Sequence, residues 1–482
     1  MIDILINELS NQTIQQFFKQ KIDSFKPIEE PLDIQLDKDW PYSNLRKLGE
    51  AELDFNDLLV FSCKVNEPLT KRSAKKRQYE IAKKALKEDF KEGAIFIFYD
   101  EEGRFRFSFL RKYFGEQDKK YTPWRRFTYL VDPAKNNHTF KRRIEKVTFS
   151  SLDNIQIAFS VEPISEAFYN ELSAWYFYAL QEVEFPNDIK SNSLELHSNA
   201  MIRLITRLMF VWFMKQKKLI PEDLFDEDKI SELINYQDKT GSTYYKAILQ
   251  NLFFACLATP MEKGRRFNNR NYGEQHYFRY ERFLNDKEQF EALMAKIPFL
   301  NGGLFENLDR IDKAKKEEIR IDCFSDRKVN ESRLKVPDYL FFGTQTANLN
   351  KFTGIDREVP VKGIIDLLKQ YDFTIDENTP YDQEVALDPE LLGLVFENLL
   401  ARFNPETEKT ARKESGSFYT PREVVDFMVD QSLLEYLKQE LLAEAEGYLE
   451  MGSDQSNLFG NEAQTGQQSL QAKVEEIPYL KK

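Results

Sequence analysis

The sequence is poor in the residues that build disulfide frameworks and zinc sites. Its 482 residues include 3 cysteines and 3 histidines. These are scattered along the chain, at Cys63, Cys256, Cys323, His138, His197 and His276. Cysteines this far apart are typical of a reducing cytoplasm. The separated histidines argue against a zinc site or a His-based nuclease motif.

Glycine is also scarce, with 18 residues in the whole chain, which favours a helix-rich architecture over a loop-rich all-β one. Hydrophobic residues make up 41% and aromatic residues 14%, which is enough for sizeable cores. A length of 482 residues predicts two to four domains.

Positive charge is outnumbered by negative charge. The formal balance is 68 − 80 = −12, so the chain as a whole does not attract DNA electrostatically. Any contact with nucleic acid must therefore come from local basic patches.

Long apolar runs are missing. One of the longest, from Leu208 to Met214, lies between Arg207 and Lys215, far below the ~20 residues that a membrane span needs. The segment 1–6 carries Asp3 and has no basic region, so it does not resemble a signal peptide. We predict a cytoplasmic protein with no membrane partner.

Residues 1–160 read as an N-terminal α/β module. Apolar runs and alternation predict strands over 57–65 and 124–130 and a hairpin in which 94–99 and 104–109 flank Glu102-Gly103. A strongly basic helix lies between the first strand and the hairpin. Its lysines and arginines include Lys75, Lys76 and Arg77, which are candidate contacts for DNA phosphates.

Part of this module has the outline of a metal-dependent nuclease. Such a core needs acids that hold Mg²⁺ and a lysine that assists the attacking water. The candidates are Asp57, Lys64 and Gln78, but Ser62 stands where an acid is expected before the lysine. We favour an ordinary sheet with a solvated basic helix. A degenerate nuclease-like fold that grips phosphate fits the same residues, and Mg²⁺ is expected only if a nuclease is active.

Residues 161–405 are predicted to form a helical connector domain. Helices are expected over 167–178 and 199–219, with Trp175 and Trp212 in the core, and from Asp388 to a stop at Asn404-Pro405. The polar loop 260–272 adds the weaker candidate DNA contacts Arg265, Arg266 and Arg270. We favour simple solvation of those arginines over contact with DNA.

Residues 420–423 carry all the sequence signals of a helix N-terminus. Thr420 suits the N-cap, Pro421 the first helical position and Glu423 the third, which closes a capping box. Val424, Val425 and Met428 begin an apolar face that we expect to be partly exposed. Read from the residues alone, this is a well-capped surface helix. The tail 447–482 is linker-like, and we expect it to be mobile.

The sequence around this helix start resembles that of adenine-specific DNA methyltransferases of the combined restriction–modification (type IIG-like) class. Residues 416–428 read Gly-Ser-Phe-Tyr-Thr-Pro-Arg-Glu-Val-Val-Asp-Phe-Met, and the stretches 378–380, 384–393, 396–400 and 404–407 extend the likeness. The resemblance implies S-adenosylmethionine as cofactor, with Phe418, Tyr419, Thr420 and Pro421 on its side. It also implies that residues 406–446 begin a Rossmann-like methyltransferase domain. The expected fold class is α+β and predominantly helical: the N-terminal α/β module, the central helical domain and this first methyltransferase helix.

Two elements of that family do not occur in the sequence. A glycine-rich loop of the Asp-Pro-x-x-Gly-x-Gly kind and an Asn-Pro-Pro-Tyr-like tetrapeptide, which grips a flipped adenine, are both missing. We therefore expect the N-terminal part of a longer or split enzyme that acts on duplex DNA, with no catalytic residue in this chain. The alternative is a non-catalytic helical DNA-positioning or adaptor subunit that works with a separate methylase chain.

Overall fold

A computed structural model describes the fold. The described residues are 1–34, 40–54, 56–70, 75–86, 91–115, 120–135, 137–160, 162–186, 188, 193–236, 239–263, 265–267, 277–300, 302–312, 317–350, 356–374, 382–387, 393 and 422–453. They fall into two compact units, Met1–Phe403 and Asn404–Lys482. The architecture is mixed α/β.

The first unit begins with a mixed seven-stranded sheet in the order β1-β2-β3-β4-β5-β8-β13. Its strands are β1 (Lys26–Pro31), β2 (Tyr42–Leu53), β3 (Asn56–Val65), β4 (Gly93–Tyr99), β5 (Phe105–Arg111), β8 (Arg125–Val131) and β13 (Asp382–Glu384). β3 and β4 run parallel because α3 (Lys75–Ala85) carries the chain back between them. β4 and β5 form the hairpin predicted from the sequence, and Gly103 takes a φ of 79° in its turn.

The two faces of the sheet bury different elements. Side chains alternate along β3, so Leu58 and Val60 face one core while Leu59 and Phe61 face the other. The first face is covered by α1 (Ile2–Asn7), α2 (Asn11–Lys21), α4 (His138–Lys146) and α5 (Leu152–Ala158). The second face is covered by α3.

The core of the first face continues into a helical region. It contains α6 (Glu162–Glu182), α7 (Ser193–Gln216), α8 (Glu227–Leu233), a π-helix (Tyr244–Leu257), α9 (Lys287–Ala295), α10 (Lys328–Glu331) and α11 (Ile364–Lys369). Short 3₁₀ turns lie at Glu222–Phe225, Met261–Lys263, Glu281–Phe283, Gly303–Phe305 and Asp338–Leu340. Small two-stranded sheets pair β6 (Phe114–Gly115) with β7 (Lys120–Tyr121), β9 (Arg310–Asp312) with β10 (Glu317–Ile319), and β11 (Thr344–Asn348) with β12 (Glu358–Lys362).

The predicted core tryptophans are confirmed. Trp175 is fully buried, and its indole Nε1 donates a hydrogen bond of 2.7 Å to the carbonyl oxygen of Leu340. Trp212 is also buried and packs edge-on against Phe225. The helix predicted from Asp388 to Pro405 lies outside the described residues.

The second unit is described over one helix, α12 (Arg422–Ser453). Its predicted apolar face is exposed, with Val424 at 45%, Val425 at 41% and Met428 at 58% of full accessibility. The sequence predicts that a linker-like tail starts at residue 447, but α12 continues through Gly447 to Ser453. The flanking residues are strong helix formers, and they outweigh the roughly 1 kcal/mol cost of one glycine.

Among the described residues, no helix is long and apolar enough to cross a membrane.

Candidate nucleic-acid interface

The α3 helix presents a row of positive charge. Its apolar positions follow helical spacing, with Ile81, Ala82 and Ala85 buried against the sheet. The opposite side therefore points to solvent, where Lys76, Arg77, Lys83 and Lys84 are exposed and Lys75 is half-buried. Several cations on one short helix create a local positive field in a chain whose net charge is −12.

Two arginines lie beneath this helix. Arg106 on β5 and Arg126 on β8 are fully buried. Nη2 of Arg106 donates a hydrogen bond of 2.7 Å to the carbonyl oxygen of Thr70. The guanidinium group of Arg126 lies 5.6 Å from the ring centre of Tyr79. Burial raises the pKa of Tyr42, beside them, to about 12, although the Gln78 amide and the Arg106 charge oppose that rise. These buried charges add to the positive field of α3.

Aromatic side chains alternate with cations at the adjoining end of the sheet. β6 and β7 pair Phe114 with Tyr121, whose rings meet edge-on at 5.3 Å and are 55% and 46% exposed. The Lys112 ammonium lies 4.5 Å from the Tyr121 ring centre and 5.0 Å from that of Trp124. Exposed rings held beside cations can stack on bases while the cations contact phosphates.

The helix and the aromatic hairpin form one continuous surface. The Tyr79 hydroxyl of α3 donates to the carbonyl oxygen of Trp124, just before β8. Tyr113 belongs to the α5 side of the sheet, because its hydroxyl donates to Gln156 of α5, and the guanidinium groups of Arg111 and Arg125 lie 4.6 and 5.4 Å from its ring centre. We call this the α3–hairpin surface: Lys76, Arg77, Lys83, Lys84, Lys112, Phe114, Tyr121 and Trp124.

The structure does not bring the three nuclease candidates together. Asp57 and Lys64 lie at opposite ends of β3, seven residues apart along the strand, which is roughly 23 Å. Asp57 forms an ion pair of 2.5 Å with Lys91, and Lys64 forms one of 3.0 Å with Glu101. Gln78 is buried in the core between α3 and the sheet. Nor do the described residues contain any group of three or more His, Cys, Asp or Glu side chains placed to hold a metal ion.

The two described arginines of the loop 260–272 differ in burial and in their contacts. Arg265 is half-buried, and its guanidinium donates to the carbonyl oxygens of Cys256 at 2.8 Å and Met294 at 3.1 Å. It thereby satisfies backbone acceptors near the ends of both the π-helix and α9, which is a structural role. Arg266 is exposed, 5.8 Å from the ring centre of Tyr277. Arg270 lies outside the described residues.

The expected cofactor residues Phe418, Tyr419, Thr420 and Pro421 also lie outside the described residues. What the structure does show is the helix that follows them, since α12 begins at Arg422.

The aromatic half of the α3–hairpin surface was missed from the sequence. Its signal is local: residues 111–114 read Arg-Lys-Tyr-Phe, and residues 119–127 read Lys-Lys-Tyr-Thr-Pro-Trp-Arg-Arg-Phe. Rings interleaved with cations at two neighbouring places are typical of surfaces that bind nucleic acid strands.

A comparison with curated proteins gives one informative similarity. The chain is 28% identical over 248 residues to a Methanocaldococcus jannaschii protein with a provisional designation as a type II restriction enzyme and methyltransferase. The match spans 50% of this chain and 15% of that protein, so this chain is similar to a small part of its relative. No protein-family model and no solved structure matches the chain.

Proposed function

We propose that this chain acts on DNA as part of a restriction–modification enzyme. The single observation that carries the proposal is the similarity to the Methanocaldococcus jannaschii protein, whose designation combines a type II restriction enzyme with a methyltransferase. That designation gives both activities to one protein. A separate adaptor subunit, the alternative raised by the sequence, is therefore not favoured.

The α3–hairpin surface is the part of the chain that we assign to DNA. Lys76 and Arg77 are exposed on α3, so their charges can approach phosphates without any rearrangement of the core. Each phosphate that they neutralise releases counterions, and this release drives binding even in a chain of net charge −12. Tyr121 and Phe114 supply exposed rings, and the Lys112 ammonium lies 4.5 Å from the ring centre of Tyr121.

The finer activity that we propose is transfer of a methyl group from S-adenosylmethionine to the exocyclic amine of adenine. The cofactor supplies the methyl group. In this chain Phe418, Tyr419, Thr420 and Pro421 are the residues proposed to contact it. Support comes from the likeness of residues 416–428 to the methyltransferase motif and from the helix that begins at Arg422.

DNA cleavage is not assigned to the sheet. A metal-dependent nuclease needs its acids and its lysine within a few ångströms of one metal ion. Asp57 and Lys64 lie at opposite ends of β3, and each is paired with another charge.

The test is methyl transfer by the product of the complete reading frame that contains this sequence. Labelled S-adenosylmethionine and mixed-sequence duplex DNA are the substrates, and nucleoside analysis identifies the modified base. We expect label on N6 of adenine, with none transferred by the 482-residue chain alone. Label on cytosine would refute adenine specificity. Turnover by the chain alone would require a catalytic site that its residues do not reveal.

A further inference from the structure

A cavity of about 150 Å³ lies beside α4, on the side of the sheet opposite α3. The start of α6 and the ring of Tyr371 complete its walls. The cavity is lined by residues that include Thr139, Arg142, Arg143, Lys146, Ile164 and Tyr371. None of them belongs to the α3–hairpin surface.

The polar wall of the cavity is one stripe of α4. Thr139, Arg142, Arg143 and Lys146 are spaced i, i+3, i+4 and i+7, so they share one helical face. A helix that packs on a neighbour normally fills this spacing with apolar residues. Here Phe140 and Ile144 fill the core on the adjacent face, and the stripe toward the cavity carries positive charge.

Two buried polar atoms on this stripe have no hydrogen-bond partner among the described residues. Thr139 is 5% exposed, and no described residue forms a hydrogen bond with its hydroxyl oxygen Oγ1. Nε of Arg143 is likewise buried with no hydrogen-bond partner among the described residues, although the rest of its guanidinium is engaged, since Nη2 donates to the carbonyl oxygens of Ile157 and Ser160 and the group interacts with the Tyr129 phenol. Buried polar groups normally find partners, so unmet groups beside a cavity point to a ligand.

The start of α4 adds to the positive potential. The Asn137 side chain donates to the carbonyl oxygens of Asp132 at 2.9 Å and Lys135 at 3.1 Å, so it does not cap the helix. The N-terminal end of a helix carries partial positive charge and attracts anions.

Negative charge around the cavity is smaller than the positive charge. Glu171 lies 4.0 Å from Arg142, and its hydrogen bond with Tyr371 helps burial to raise the pKa of that phenol. Against this one carboxylate stand Arg142, Arg143 and Lys146. Burial and the nearby charges of Lys362 and Arg142 lower the pKa of His138, as expected in a positive setting.

We propose that the α4 cavity binds a phosphate group, presented by a nucleotide or by the DNA backbone. A volume of about 150 Å³ suits one phosphate or one small ring and is below the size of most sites for larger ligands. Phosphate oxygens accept from arginine forks and hydroxyl donors in a way that matches Arg142 and Thr139, while Arg143 and Lys146 add positive charge.

The experiment measures binding of inorganic phosphate to the complete 482-residue chain by calorimetry at low salt, with sulfate as a second probe. Lys146→Gln removes a cation from the exposed end of the stripe, and Thr139→Val replaces the buried hydroxyl with a methyl group of similar size. The matched control is Lys141→Gln on the same helix, because Lys141 forms its ion pair with Asp3, at 2.6 Å, outside the cavity.

We expect saturable binding that Lys146→Gln and Thr139→Val each weaken by about tenfold and Lys141→Gln leaves unchanged. Equal weakening by Lys141→Gln would reduce the effect to general surface charge and overturn the site. So would the absence of saturable binding in the parent, provided that thermal unfolding shows all the variants folded.

Two further arms identify the source of the phosphate. A nucleoside monophosphate and a short DNA duplex are each titrated in competition with inorganic phosphate. Competition by the duplex that Thr139→Val abolishes identifies a backbone phosphate, and competition by the monophosphate alone identifies a free nucleotide. Failure of both competitors to displace phosphate contradicts the proposal. These outcomes are independent of methyl transfer, so the proposed function stands or falls separately.

Discussion

The hydroxyl of Ser62 forms a hydrogen bond of 2.9 Å with Oδ1 of Asn11, which joins β3 to the first turn of α2. Ser62 lies two residues before Lys64, where a metal-dependent nuclease carries an acid. The hydroxyl of Ser62 therefore has a structural role, and Lys64 forms an ion pair with Glu101. Position 62 therefore supplies no carboxylate to a divalent cation, and the described residues contain no group of three or more His, Cys, Asp or Glu side chains placed to hold one.

We predict that the chain does not cut DNA from this sheet. Incubation with supercoiled plasmid and Mg²⁺ or Mn²⁺ is expected to leave the plasmid intact. Ser62→Asp is expected to remain inactive as well, because one added carboxylate does not make a site with the distant Asp57. Cutting by the parent chain that Lys64→Ala abolishes would contradict this prediction, and Lys83→Ala on exposed α3 serves as the matched control.

Asp338 gives the fold a predictable dependence on pH. The carboxylate is fully buried and accepts hydrogen bonds of 2.9 Å from the backbone N–H groups of Thr243 and Tyr244 at the start of the π-helix. Burial raises the pKa of Asp338 to about 8, although these N–H groups lower it. In the unfolded chain the same group ionises near its ordinary value of about 3.9.

Between about pH 4 and pH 8 the folded state therefore binds a proton that the unfolded state has released. The free energy of unfolding should fall as pH rises through this window, by up to about 1.4 kcal/mol per pH unit from this group. We expect Asp338→Asn to reduce the fall in urea unfolding measured at pH 5, 6.5 and 8. The control Asp286→Asn alters an exposed helix cap. An unchanged slope in Asp338→Asn would show that Asp338 does not titrate in this range.

The proposed cofactor segment is tested through Thr420. Thr420→Ala should remove an N-cap and destabilise the following helix locally by about 1 kcal/mol. In the product of the complete reading frame it should also weaken binding of S-adenosylmethionine, as measured by calorimetry. Ser432→Ala, at an exposed position of α12, is the control. Parent-like affinity in Thr420→Ala would show that the functional reading of this motif is wrong.

Much of the sheet was predictable because its signals are local. The buried run over 57–65, the basic helix and the hairpin around Gly103 each follow from alternation, charge or turn chemistry, and β3, α3 and the β4–β5 pair confirm them. The helices around Trp175 and Trp212 were predictable for the same reason, since their apolar residues leave few alternatives to burial.

The arrangement of side chains in space was not predictable in the same way. Asp57, Lys64 and Gln78 follow the order of a nuclease motif in the sequence. In the structure, Asp57 and Lys64 lie at opposite ends of β3, and Gln78 is buried in the core. The cationic stripe on α4 is visible in residues 139–146, yet its meaning depends on the cavity that α6 and Tyr371 close. Parallel pairing of β13 with β8 joins segments more than 250 residues apart, and no local pattern encodes that contact.

The assignment of the α3–hairpin surface to DNA is tested most directly by the salt dependence of DNA binding by the 482-residue chain. Affinity for a fluorescent duplex is measured from 50 to 200 mM salt for the parent, for a triple variant carrying Lys76→Gln, Arg77→Gln and Lys112→Gln, and for the control Lys229→Gln on α8. Each phosphate contact contributes about 0.9 to the slope of log affinity against log salt.

We predict that the triple variant lowers the magnitude of that slope by about 2 to 3 and that the control leaves it unchanged. A triple variant with the parent's slope, or a control with an equal loss, would contradict the assignment of the α3–hairpin surface to DNA.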